Sequence, residues 1–306
     1  MWLSLAFLSA ALLGCYDAFK KEALSGNAVL PVLFLNTLFC SLIFLPALLL
    51  SKYTGLLDGS IIAVGETAGW RVHGPILLKS CIVLSSWTLG YFGIKHLPLT
   101  LVGPINATRP VMVLLGALLL YGEQLNLLQW IGVTLAVVSF FLLGREGRKE
   151  GFDFRRNVWI WAVIGAAVLG AISGLYDRYL MAPVQSGGLG LDKMAVQVWY
   201  NIYQCGMMGV MLLVLWLPGR KKTTPFKWKW SIIGISVFLC GADFVYFYAL
   251  SQPDAMVSIV SMVRRGSVVV SFLAGALIFQ EKHLRNKATD LVLVLLGMLF
   301  LYLGSQ

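Results

Sequence analysis

The segment Asp254–Glu281, DAMVSIVSMVRRGSVVVSFLAGALIFQE, is predominantly apolar but carries two adjacent arginines near its middle, Arg264 and Arg265. A helix of about 20 residues crosses the hydrocarbon core of a bilayer, so this segment is long enough to span a membrane. An arginine at the bilayer centre costs about 2.5–3.5 kcal/mol on insertion scales. The pair therefore predicts a functional site with partner groups elsewhere in the chain.

The whole chain has the composition of an integral membrane protein. Of its 306 residues, 58% are hydrophobic and 12% are charged, whereas an ordinary soluble domain has about 25% charged residues. The mean hydropathy is +0.81. We predict an all-α integral membrane protein with ten transmembrane helices, at residues 2–22, 29–50, 74–96, 99–121, 126–144, 157–181, 194–217, 229–251, 254–280 and 287–304.

Lysine and arginine are distributed unevenly along the chain. The net charge is +10, and most basic residues, Lys20 among them, fall in the loops after predicted helices 1, 3, 5, 7 and 9. Because cytoplasmic loops are enriched in lysine and arginine, both termini are predicted to be non-cytoplasmic, in a bacterial inner membrane. Lys79, near one end of helix 3, can reach the interface by snorkelling. We therefore expect the net positive charge to reflect the orientation of the protein in a lipid bilayer, and we expect no binding of nucleic acid.

Four short patterns of the first half of the chain recur in the second half in the same order. The repeated unit contains five helices, and an odd number makes the second copy enter the membrane from the opposite side. We predict two inverted five-helix repeats, 1–145 and 157–306, joined by a charged linker at 146–156. The paired patterns are GCYD and GLYD (from Gly14 and Gly174), N-x-x-x-C (from Asn36 and Asn201), YFGIKHLP and YFYALSQP (from Tyr91 and Tyr246), and GALLLYGE and GALIFQE (from Gly116 and Gly275).

Three features of these repeats occur together in one family of transporters. They are the Gly14…Phe19-Lys20 pattern in helix 1, the YF…P segments that end helices 3 and 8, and the glutamates after helices 4 and 9, Glu123 and Glu281. With them, essentially the whole chain resembles the EamA type of the drug/metabolite transporter superfamily. The resemblance implies a small-solute carrier that works by alternating access, with a central cavity lined by helices 1, 3, 4, 6, 8 and 9.

Few charged residues lie inside the predicted helices. Arg109 lies about ten residues into helix 4, roughly 15 Å along its axis and so near the bilayer midplane, and Arg264 and Arg265 lie at a similar depth in helix 9. Either the arginines form salt bridges with buried aspartates, or at least one of them faces the cavity and binds an anionic solute. Adjacent helical residues point about 100° apart, so the pair can do both. The candidate ion-pair partners or proton carriers are Asp17, Asp177 and Asp243.

Arginine at these positions favours a phosphate or carboxylate, because its planar guanidinium donates hydrogen bonds in pairs and stays charged. The phosphate-translocator branch of the superfamily is similar here, with a basic residue in helix 4 and a Lys-Arg pair in helix 9 against the substrate phosphate. In this chain the pair is Arg-Arg, and Pro110 follows Arg109. Further solute contacts are predicted from Tyr16, Tyr176, Tyr246, Trp87, Asn36 and Asn201.

The sequence has no recognisable catalytic or metal-binding motif. Its three histidines lie far apart and its five cysteines form no CxxC pair, so we predict neither an enzyme nor a cofactor. The predicted function is secondary transport of a small anionic metabolite, phosphorylated or carboxylated, by a monomer or loose dimer. One alternative is an exporter of amino acids, aromatic metabolites or cationic compounds, with the aspartates as ligands. The other is a flippase of lipids or lipid-linked head groups.

Overall fold

The computed structural model of the chain describes residues 2–65, 69–109, 111–113, 116, 126–149, 156–181, 184, 187–221, 223–250, 263–264, 266–280 and 284–304. These residues are mostly helical, and none of them lies in a β-strand. The predicted all-α class is therefore confirmed for this part of the chain. Most of the predicted linker and the positions of Arg265, Glu123 and Glu281 lie outside the described residues.

The helices of the described residues are numbered in chain order. Their bounds are α1 Trp2–Leu24, α2 Val29–Tyr53, α3 Trp70–His96, α4 Leu99–Ala107, α5 Leu127–Lys149, α6 Val158–Met181, α7 Lys193–Met211, α8 Ser231–Leu250, α9 Ser267–Leu277 and α10 Leu284–Gly304. A π-helical turn, Leu212–Trp216, continues α7. These helices begin and end close to the predicted spans, apart from α4 and α9, which are shorter.

Polar residues at the helix ends explain where several helices start. The carboxylate of Asp192 accepts a hydrogen bond from the Ala195 N–H at 2.8 Å and caps α7. At the start of α5, Asn126 Oδ1 accepts from the Gln129 N–H (2.9 Å) while Gln129 Oε1 accepts from the Asn126 N–H (3.0 Å). Such reciprocal bonds satisfy amide groups that the first helical turn leaves without partners.

Helices α4 and α9 are each interrupted beside an arginine. After α4, the Thr108 N–H bonds to the Ile105 carbonyl at 3.2 Å, and before α9 the Gly266 N–H bonds to the Val263 carbonyl at 2.9 Å. Both are three-residue bonds, tighter than those of an α-helix. The sequence predicted one uninterrupted helix over 254–280, and the structure differs at Gly266 because glycine is a poor helix former.

Most of the packing between the first five and the last five helices of the described chain repeats when five is added to each helix number. Helix α1 packs against α8 and α9, while α6 packs against α3 and α4. Likewise α2 packs against α8, and α7 packs against α3. Three further pairs, α2–α7, α4–α9 and α5–α10, each join a helix to its own counterpart five helices later. Two five-helix units related by a twofold axis would produce this pattern, and most contacts therefore join the two halves.

The outer surface exposes many apolar side chains, and the mostly apolar interior also contains buried polar side chains. Asn36 and Gln204 are fully buried, whereas Leu213 and Val214 are 61% and 64% exposed. Four helical segments of the described chain are long and apolar enough to span a bilayer: Val29–Tyr53, Trp70–His96, Val158–Asp177 and Lys193–Trp216. Apolar side chains on the outer surface and polar or charged side chains kept inside are what hydrocarbon surroundings favour, so these helices are those of a multi-pass membrane protein.

Candidate functional site

A cavity of about 240 Å³ lies between α1, α3, α4, α6, α7, α8 and α9. Its wall is polar on several sides, with tyrosine, serine and asparagine among the lining residues. Charges inside a membrane protein are costly and normally mark a solute or ion path. The charged residues that line this cavity, within the described chain, are Asp17, Lys20, Lys79, Arg109, Asp177, Asp243 and Arg264.

The first ion pair of the cavity joins two residues of α1. Lys20 Nζ lies 2.6 Å from Asp17 Oδ1, and the Ser271 hydroxyl of α9 donates to Asp17 Oδ2 at 3.0 Å. The same ammonium lies 4.1 Å from the centre of the Tyr16 ring. Lys20 was predicted to lie in a cytoplasmic loop, but it is only 7% exposed. That prediction is wrong because α1 continues to Leu24 and its last turns face the cavity.

The second ion pair joins α3 to α6. Lys79 Nζ donates to Asp177 Oδ1, and it also lies 5.1 Å from the centre of the Tyr200 ring. From its position near a helix end, Lys79 was expected to be able to reach the membrane interface. It is only 6% exposed and does not do so. The partner Asp177 belongs to the GLYD pattern that repeats the GCYD of Asp17. The repeated aspartate thus meets a lysine in both copies.

The third ion pair joins α8 to the turn before α9. An Arg264 Nη2–H donates to Asp243 Oδ1. The other carboxylate oxygen, Oδ2, accepts from the Tyr200 hydroxyl at 3.3 Å and from Gln197 Nε2 at 3.4 Å. The guanidinium lies 4.3 Å from the centre of the Tyr246 ring. Arg264 is therefore compensated by a carboxylate and an aromatic face.

Arg109 differs from the other cations of the cavity, because no carboxylate of the described chain lies within salt-bridge distance of it. Its Nη2 lies 3.5 Å from the Ala166 carbonyl oxygen, which already accepts a shorter bond from the Ser86 hydroxyl at 2.7 Å. Its Nε is buried and has no hydrogen-bond partner among the described residues. Three residues earlier, Asn106 Oδ1 is likewise buried and without a partner there. The guanidinium is charged but incompletely satisfied.

The family of the chain is indicated by its first half. Residues 1–145 match the family model described as the EamA-like transporter family. Through these residues, the first half of the chain is similar to the EamA-like transporter family. The resemblance to the EamA type of the drug/metabolite transporter superfamily that was drawn from the sequence motifs is thereby confirmed over these residues.

Two curated relatives of this EamA-like chain carry a more specific name. Both are described as "Probable 4-amino-4-deoxy-L-arabinose-phosphoundecaprenol flippase subunit ArnE", one from Aeromonas salmonicida (strain A449) and one from Aeromonas hydrophila subsp. hydrophila. They are 29% and 31% identical to this chain over 75 residues. The aligned part covers 24% of this chain and 66% of each relative, just under two thirds of their length.

A known crystal structure shares the fold over nearly the whole chain. It superposes with a TM-score of 0.64 at 14% identity and covers 99% of this chain and 97% of its own. At this identity the likeness concerns the fold alone. It extends beyond the 145 residues that match the EamA-like family model and includes the second half.

The predicted site residues of this EamA-like protein fall into two groups. Arg109, Arg264, Asp17, Asp177, Asp243, Tyr16 and Trp87 line the cavity, and Tyr246 lies beneath Arg264. The other three make contacts elsewhere. Tyr176 donates to the Pro75 carbonyl (3.3 Å), Asn36 accepts from the Ser236 hydroxyl (3.0 Å), and Asn201 donates to the Gln197 carbonyl (2.9 Å).

Several cavity residues were not singled out from the sequence, namely Lys20, Ser271, Tyr200 and Asn106. A spacing signal existed for two of them. Lys20 follows Asp17 by three residues and Arg109 follows Asn106 by three, which places each pair on one helix face. Tyr200 and Ser271 carry no such signal, because they approach the site from helices remote in sequence.

Proposed function

We propose that this chain is a secondary transporter of a small anionic solute, and that Arg109 binds the anionic group. The observation that carries this proposal is the guanidinium of Arg109, which lies half-buried at the cavity with a buried Nε and has no carboxylate partner in the described chain. A buried charge is costly unless it is paired and hydrogen-bonded. A phosphate or carboxylate on the solute would supply both.

The charges of the cavity support an anionic solute over a cationic one. Lys20, Lys79 and Arg264 are each paired with an aspartate, and Arg109 is the remaining cation among the described lining residues. A cationic solute would have to displace a lysine or arginine from its carboxylate and would add to the positive charge. The aspartates therefore serve the structure as ion-pair partners, and the alternative in which they bind a cation is disfavoured.

The cavity size supports a small solute. Sites for drug-sized ligands usually measure about 300–1,000 Å³, and this cavity measures about 240 Å³. Its walls come from both halves of the chain, as in transporters whose site lies between inverted repeats. We propose that the two halves, 1–145 and 157–306, rock around this site and expose it alternately to each side. The packing pattern that recurs every five helices supports this arrangement.

The second candidate is a flippase for a phosphate-linked lipid head group. It is favoured by the names of the two Aeromonas relatives, which refer to a phosphoundecaprenol flippase subunit. In both candidate functions, Arg109 would bind a phosphate group of the transported molecule. The two candidates differ in what is attached to that phosphate, a small soluble group or a lipid that stays in the bilayer.

Counterflow into proteoliposomes tests the proposal. Wild-type protein should accumulate a radiolabelled soluble phosphorylated or carboxylated metabolite from a panel, and Arg109→Ala should reduce the apparent affinity by about 10- to 100-fold, because a hydrogen bond to a charged group is lost. Arg71→Ala, at an exposed position, serves as the matched control and should behave as wild type. Unchanged affinity in folded Arg109→Ala would disprove the role of this residue. Transport of a phosphate-linked lipid, with no response to any soluble anion, would favour the flippase.

A further inference from the structure

Gly170 of α6 lies directly against the guanidinium of Arg109. A methyl group at this position would stand 2.8 Å from Arg109 Cζ, 2.9 Å from Nη1 and 3.1 Å from Nε. These separations are shorter than van der Waals contact, so no larger side chain fits while the guanidinium keeps its place. The guanidinium of Arg109 occupies the space that a side chain at position 170 would need.

We propose that Gly170 is a positioning residue for anion binding, because it allows the guanidinium of Arg109 to lie against the backbone of α6. The inference rests on the proposed function of Arg109. It adds that the affinity for the anion depends on a glycine that carries no charge and donates nothing to the solute.

The contacts of Arg109 show what this position achieves. Nη2 reaches the Ala166 carbonyl, about one turn before Gly170 on α6, at 3.5 Å, while Nε is left without a partner in the described chain. The guanidinium is thus held from one side by a weak backbone contact, and its buried Nε lacks an acceptor in the described chain. A planar guanidinium binds an oxyanion well only when two of its N–H groups point at it together.

A change at Gly170 should move the guanidinium and leave the helix in place. The atoms that a methyl group would meet are at the far end of a long, flexible side chain, and none of the three nearest atoms belongs to the backbone. Alanine is also a better helix former than glycine, so Gly170→Ala does not weaken α6 itself. The substitution therefore moves the positive charge of Arg109 without removing it.

Gly174 provides a matched control on the same helix. It lies one turn after Gly170 and also lines the cavity. A methyl group at Gly174 would meet Val113 Cγ2 at 3.8 Å, which is an ordinary contact. Gly174→Ala therefore adds the same methyl group to the same cavity wall without moving Arg109.

The test measures how tightly the purified full chain binds inorganic phosphate. Binding is measured from the increase of the melting temperature with phosphate concentration. Gly170→Ala should weaken binding about tenfold or more, whereas Gly174→Ala should stay within about twofold of wild type. In a double-mutant cycle, Gly170→Ala should have no further effect when Arg109 is already alanine. Without phosphate, the melting temperatures of the two glycine variants should be close to that of wild type.

The outcomes separate this inference from the proposed function. If Gly170→Ala binds phosphate as wild type does, or if Gly174→Ala weakens binding equally, the role of Gly170 is refuted while that of Arg109 stands. If wild type and Arg109→Ala show the same response to phosphate, both are refuted. If Gly170→Ala is unstable, the double variant R109A/G170A should recover stability, because alanine at position 109 removes all three atoms that the new methyl group would meet. Failure of that recovery also refutes the inference.

Discussion

At the scale of single residues, two arginines of the cavity differ in what surrounds them. Arg264 has Asp243 and the Tyr246 ring as partners. Arg109 has one long contact to a backbone carbonyl that is shared with Ser86. The desolvation of a charge is offset only by close, well-oriented partners, so the two guanidinium groups have different roles. We propose that Arg264 stabilises the packing of α8 and α9 and that Arg109 binds the solute.

Asp243→Asn is expected to destabilise the protein. The substitution leaves the buried Arg264 charge uncompensated, and breaking a buried ion pair typically costs about 3–5 kcal/mol. Reversible unfolding of the purified protein in detergent should therefore show a lower free energy of unfolding. Asp58→Asn, in an exposed loop, is the control and should change it by less than about 0.5 kcal/mol. A stability of Asp243→Asn equal to that of Asp58→Asn would show that the pair contributes little.

At the scale of helices, α1 is fixed by close packing on two sides. On the α9 side, a methyl group at Gly14 would overlap Val270, with Cγ1 only 2.6 Å away, and would stand 3.0 Å from the Ser267 carbonyl oxygen. On the α8 side, the Ser9 hydroxyl donates to the Ala242 carbonyl at 2.7 Å. Small residues let membrane helices approach this closely. The resulting van der Waals packing stabilises the helix pair, because the hydrophobic effect does not drive helices together inside lipid.

Gly14→Ala is expected to push α1 away from α9. Because the new methyl group meets a branched side chain and a backbone oxygen, the cost should be that of an overpacked core, about 1–3 kcal/mol. Thermal unfolding in detergent measures it. At Gly241 of α8, the first atom met is Leu12 Cδ1 at 3.7 Å, so Gly241→Ala should be tolerated. Equal melting temperatures for the two variants would contradict the close approach of α1 and α9.

At the scale of the whole molecule, the two halves are joined at the side that is rich in lysine and arginine. Asn27, after α1, exchanges two hydrogen bonds with the backbone of Lys227, at 2.7 and 2.8 Å. Lys229 Nζ donates to the carbonyls of Glu22 and Ser25, both at 2.8 Å. Alternating access would require these bonds to break when that side opens. They are consistent with a state in which the basic side is closed.

Reporter fusions test the orientation of the whole molecule. Because basic loops stay in the cytoplasm, alkaline phosphatase fused after Gln306 should be active in a bacterial host, whereas green fluorescent protein at the same site should be dark. A fusion in the linker at 146–156 should give the opposite pair of results. A fluorescent C-terminal fusion would reverse the predicted topology.

The sequence also predicted much of the site, because charges inside apolar segments are rare enough to be recognised individually. Arg109, Arg264 and the aspartates of the repeated motif, Asp17 and Asp177, all line the cavity. The lysines were harder to place. Their long side chains can point along a helix toward water or toward a buried partner, and the sequence does not distinguish the two.

The sequence by itself determined the helical membrane class, and it predicts the two repeats, since both follow from hydropathy and local patterns. Only the tertiary structure decided which cation is paired with which aspartate and which one is left over. It also placed Gly170 against Arg109. Such choices depend on contacts between helices far apart in the chain, where a separation of a few ångströms decides whether a charge is compensated. Hydropathy and local spacing do not specify those separations.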